Sequence, residues 1–232
     1  MSLFTAGFQF ATARVFAWLL AKYGQVFDGD DPFSMPAMFP MPPDMKDVHF
    51  PQVILRSFDT KRQVQASGSR LDLIYEKDHI NDAELAEFLA WSGSLGKEYM
   101  AKFKGSAVRI GCVLNRVAPD ENPPGTLSRH FCKEQWIQGP LNRPGDFQLH
   151  AHKVFEPSGV FKINSWMRCS CAGLVEPGEE VQPGGYTVIL VQHDFNSLAE
   201  GASDRKVTDD QVDAFLKMVP SEMLRVLQVY FP

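Results

Sequence analysis

The chain has 232 residues, with 23 Lys plus Arg against 28 Asp plus Glu, for a formal net charge of −5. Hydrophobic residues make up 44% and charged residues 22%, a globular balance that excludes collagen-like, coiled-coil and mainly disordered chains. Such a length buries a real core as one large domain or two small ones. The mildly acidic balance disfavours long-range attraction to phosphate backbones.

Residues 3–10 read as a strand. From 11 to 23 the apolar spacing turns helical, with Ala11, Val15, Trp18 and Leu19 on one face and Gly24 as a stop. The apolar run 15–21 is bracketed by Arg14 and Lys22 and falls short of the roughly 20 residues that span a bilayer. No secretory signal pattern is recognisable. The four cysteines are too sparse for a disulfide scaffold. The expectation is a cytoplasmic protein with free thiols and no membrane association.

Residues 28–51 are rich in proline, which forbids regular structure, yet they carry Phe33, Met35, Met38, Phe39 and Met41. Flexible linkers are polar. An apolar extended segment must lie on its own domain or on a partner chain, and adaptable Met-rich surfaces suit partners. These five residues are the candidate partner-binding set, and the expected partner is a second copy or another protein.

Segments 52–58, 61–67 and 70–76 read as three strands, the last two joined by a tight turn at Ser67-Gly68-Ser69. Asn81 with Glu84 forms a capping box that opens a helix, with Leu85, Phe88 and Leu89 on its buried stripe and Gly93 and Gly96 as candidate kinks. A second round follows. Residues 107–117 form a strand, 127–137 a short helix, and 146–155, 160–172 and 185–195 three more strands. Thr208 with Gln211 caps a final helix, which Pro220 is expected to kink or break ahead of a segment at 221–230. Consecutive strands with short turns favour antiparallel pairing. The fold class is therefore α+β, a mainly antiparallel sheet covered by helices, with two pseudo-repeated β-α-β-β-β-α halves at 1–104 and 105–232 forming one globular unit.

Four features carry a family resemblance: an opening strand and helix before a Pro-rich segment, the strand ending in RLDLIYE, the strand RIGCVLNRV with Asn115-Arg116 late in it, and VQHDFN followed by an amphipathic helix. On these the chain resembles the sporadically distributed family of uncharacterised prokaryotic proteins. The resemblance implies an α+β fold, a bacterial or archaeal origin, and a mobile-element or defence setting. It implies no activity.

Several constellations could carry chemistry. His150 and His152 alternate onto one face of a strand. A turn at 156–159 would set His150 near Ser165 and His152 near Ile163, with Cys169 and Cys171 on the same face. A simple hairpin across 173–185 would bring His193 near Met167. Imidazole and thiolate suit zinc, so His150, His152 and His193 are the candidate metal ligands. Arg109, Asn115 and Arg116 are the candidate ligand-binding set, since a guanidinium fork grips carboxylate or phosphate. Cys132 beside His130 and Lys133, the pair Ser94 and Lys97, and the acids Asp194, Asp204, Asp209 and Asp210 are weaker alternatives with ordinary structural explanations. Arg56, Lys61, Arg62 and Arg70 cluster around one hairpin, which reads as a solvated strand face.

There is no phosphate loop, dinucleotide fingerprint, His-Glu-x-x-His or Gly-x-Ser-x-Gly, so no cofactor is assigned. The leading expectation is a non-catalytic binding and interaction protein. The alternatives are a metal-dependent hydrolase using the strand histidines and a nucleic-acid binder using the 56–70 hairpin with Arg109 and Arg116.

Overall fold

The structure is a computed structural model describing residues 1–6, 12–23, 37–38, 51–57, 61–140, 142–173, 185–201 and 204–230. It is an α+β fold, and every strand pairing with a defined register is antiparallel. The chain divides into two compact units. The first comprises Met1–Cys112, Pro157–Phe161 and Asn196–Ser221, and the second Val113–Glu156, Lys162–Phe195 and Glu222–Pro232.

The first unit holds β1 (Ser2–Ala6), α1 (Thr12–Tyr23), β2 (Ala37–Met38), β3 (Val53–Arg56), β4 (Arg62–Ala66), β5 (Arg70–Tyr75) and α2 (Asp82–Phe103). It also takes the start of β6 (Ser106–Pro119) and α5 (Asp209–Tyr230) as far as Ser221. Its strands run in the order β2-β3-β4-β5-β1-β6. β4 and β5 meet at the expected turn, where Ser67 N–H donates to the Arg70 carbonyl at 2.8 Å. Val53, Leu55, Val64, Leu71 and Leu73 alternate inward along their strands. Each such side chain contributes about 1.5–3 kcal/mol by leaving water.

Helix α2 begins as its capping box requires. Asn81 accepts from Glu84 N–H at 2.9 Å, and Glu84 accepts from Asn81 N–H at 3.1 Å. It is one unbroken helix through Gly93 and Gly96. Gly93 serves close packing, since a Cβ there would fall 2.6 Å from Leu216 Cδ1 of α5. Lys97 and Asp213 tie the same two helices at 2.7 Å.

The capping box of α5 also forms, Thr208 and Gln211 exchanging bonds of 3.1 and 3.3 Å. Pro220 does not end this helix, which runs on to Tyr230 as one element. Proline removes one N–H and crowds the preceding turn. Burial of Phe215, Leu216, Val219 and Met223 offsets that local loss, and Ser221 Oγ donates to the Met218 carbonyl at 2.9 Å.

The second unit holds the rest of β6, then α3 (Pro123–Phe131), α4 (Glu134–Ile137), β7 (Gln148–Phe155), β8 (Ile163–Ala172) and most of β9 (Val188–Ser197). Its strands run β6-β9-β8-β7. Leu127 of α3 packs with Met167, Cys169, Cys171, Ile189 and Val191 to form its core. Along β8 every second residue from Ile163 to Cys171 is buried, so this unit has one covered face and one open face.

Among the described residues no helix is long and apolar enough to cross a membrane. None of the four cysteines is in a disulfide among the described residues. Of the expected partner-binding residues, Phe33, Met35, Phe39 and Met41 lie outside the described residues. Met38 is in β2, opposite Val53.

Candidate functional site

The register of β7 against β8 decides how the strand histidines are used. His150 lies opposite Arg168 and His152 opposite Trp166. The expected partners Ser165 and Ile163 are wrong by three positions. The connection runs from 156 to 162, longer than the expected tight turn. An odd offset moves every side chain to the other face. Cys169 and Cys171 are therefore buried in the core, while His150 and His152 stand on the open face with Trp166 and Arg168.

On that open face the His152 ring lies flat on Trp166, with centroids 4.1 Å apart and an interplanar angle of 12°. His152 Nε2 is also 2.5 Å from Asn164 Oδ1. The Arg168 guanidinium stands 5.3 Å from the Trp166 ring centroid. Arg168 donates to Gln192 Oε1 at 2.7 Å and lies 4.0 Å from Asp194. Gln192 in turn donates to Asn115 Oδ1 at 3.0 Å. A polar and aromatic patch thus crosses β7, β8, β9 and β6. Val113, Val117 and Val154 are exposed on the same strand positions and frame it.

The covered face carries a different pair. His193 is 1% exposed, and its Nε2 is 2.9 Å from Ser165 Oγ. Its expected neighbour was Met167; the contact is with Ser165. Nδ1 of His193 is buried without a hydrogen-bond partner among the described residues. Burial pushes the imidazole pKa down to about 4, and the nearby Arg116 pushes in the same direction. The ring is therefore neutral at pH 7. Burial likewise raises the Cys169 thiol to about 11 and raises Cys171. Such thiols are poor ligands and nucleophiles while they remain protonated.

His193 therefore does not converge with His150 and His152. Among the described residues no group of three His, Cys, Asp or Glu side chains is placed to hold a metal ion.

The candidate ligand-binding residues divide between the two units. Arg109 belongs to the first unit and donates to Asn196 Oδ1 at 3.4 Å. Asn115 and Arg116 belong to the second and, being consecutive in a strand, point to opposite faces. Asn115 joins the open patch, and Arg116 lies toward His193.

Of the weaker alternatives, Lys97 is held by Asp213, and Ser94 is exposed. Cys132 is the C-cap of α3. In the 56–70 hairpin, Arg70 pairs with Asp72 at 2.7 Å and Arg62 lies over the Tyr75 ring.

Sequence reasoning missed Trp166 and Arg168. Their alternation with buried Ser165, Met167 and Cys169 was the available signal, since polar and aromatic residues fell on the open positions.

No protein-family model and no curated protein sequence matches this chain.

Proposed function

We propose that this is a non-catalytic interaction protein of prokaryotic type, working in the cytoplasm, whose recognition surface is the open face of β6, β9, β8 and β7. The observation that carries the reading is the stacked group His152, Trp166 and Arg168, framed by exposed valines. Trp and Arg are enriched at the energetic centres of protein interfaces, and Arg168 is already held against Trp166 and Gln192. Burying an apolar frame around such a centre supplies the driving force.

The occupant proposed is a second copy of the chain. The patch carries both charge signs, Arg168 beside Asp194. A two-fold axis through it lets Arg168 of one copy face Asp194 of the other, as a self-complementary interface requires. The net charge of −5 argues against a polyanion as occupant. A mobile-element or defence setting, implied by the family resemblance, is compatible with a binding role.

Sedimentation equilibrium tests this on the full chain. The expected result is a concentration-dependent dimer that Trp166→Glu dissociates without lowering the melting temperature. A strictly monomeric wild type, or a dimer untouched by Trp166→Glu, overturns it.

A further inference from the structure

A hollow of about 190 Å³ lies in the second unit between α3, α4 and the segment 142–144. Asn122, Ser128, Arg129, Ile137, Asn142 and Arg143 are among its lining residues, and no acidic side chain is. We propose that it binds a small phosphate monoester. This is independent of the self-association surface.

Ser128 is spent inside its helix, donating to the Gly125 carbonyl at 3.1 Å. Asn122 Oδ1 accepts from Gly125 N–H at 3.2 Å, which leaves its amide NH₂ as a donor. Among the described residues Arg129 donates once, to Thr126 Oγ1 at 3.3 Å. Arg143 has no hydrogen bond or ion pair among the described residues. Asp120 Oδ1 accepts from the Asn122 N–H at 2.7 Å and from the Thr126 hydroxyl at 3.2 Å, and Asp120 does not line the hollow. No carboxylate neutralises either guanidinium among the described residues.

The hollow is therefore lined by donors: two guanidinium forks and the amides of Asn122 and Asn142. A phosphoryl group presents three terminal oxygens that only accept, and its dianion matches two cations. The volume is below the range of about 300–1,000 Å³ typical of drug-sized ligands, so the molecule is small. Ile137 and Pro144 offer apolar contact for its ester substituent.

The test is a titration of the full chain with inorganic phosphate, followed by amide NMR, with chloride at matched ionic strength as control. Saturable shifts confined to residues around 122–129 and 137–144 are expected with phosphate and not with chloride. Arg143→Gln should weaken binding about tenfold, the worth of one charge-assisted hydrogen bond. Asn142→Asp, which adds a carboxylate at the rim, should abolish it. Both positions are exposed, so the melting temperature should not move. Methyl phosphate should bind at least as well as phosphate, because its substituent has Ile137 to rest on. Shifts that do not saturate, that chloride reproduces, or that survive both substitutions overturn the proposal.

Discussion

Ser165 and His193 form a hydrogen-bonded pair inside the second unit, hydroxyl oxygen to Nε2 at 2.9 Å. The imidazole pKa is near 4 in the folded chain and 6.5 as the reference. The unfolded chain therefore takes up a proton on this ring before the folded chain does. The stabilising contribution is whole above pH about 6.5 and drains away as pH falls through 4. The difference corresponds to about 3 kcal/mol. Urea unfolding of wild type and His193→Gln between pH 7.5 and 3 checks this, and the variant should lose that much less stability across the window.

Ser165→Ala removes the only partner that a buried imidazole nitrogen has among the described residues. It should cost about 1–3 kcal/mol at pH 7, the penalty for an unsatisfied buried polar atom. A Ser165→Ala, His193→Phe double substitution should recover part of that loss. Denaturant midpoints for the two proteins give the comparison.

These two residues show what was and was not legible in the amino-acid sequence. Alternation along 163–171 announced a strand with one buried face, and Asn81-Glu84 and Thr208-Gln211 announced helix starts, because each signal is local. Pairing register is not local. It depends on how many residues the 156–162 connection consumes, and an odd miscount sent His150 and His152 to the wrong side. Pro220 shows a related limit: of the kink or break its chemistry leads one to expect, the break does not occur, because burial of Val219 and Met223 on either side carried the helix through. The patch around Trp166 stayed hidden because its members come from four strands.

Gly93→Val should destabilise the protein by about 1–3 kcal/mol through overpacking against Leu216. The added β-branch in a helix works in the same direction. Thermal unfolding followed by far-UV circular dichroism measures it. Ser94→Val is the comparison, since that position of the same helix is exposed.

Asn81→Ala should cost about 1 kcal/mol, the usual worth of an N-cap side chain. The effect should appear in hydrogen exchange as faster exchange of the Glu84 amide, which loses its acceptor.

Thiol labelling should find a single fast cysteine. Cys132 is partly exposed, whereas Cys112, Cys169 and Cys171 are buried, and burial holds the Cys169 thiol near 11. A disulfide reagent at pH 8 should titrate Cys132 at once and the other three only after urea.

The first unit draws on three separate stretches of chain, the last being Asn196–Ser221. During synthesis its β-strands emerge early, but the helical segment whose Leu216 meets Gly93 leaves the ribosome long after. The nascent polypeptide must therefore carry an unfinished hydrophobic surface through the translation of the intervening residues, a window in which chaperone capture would govern yield.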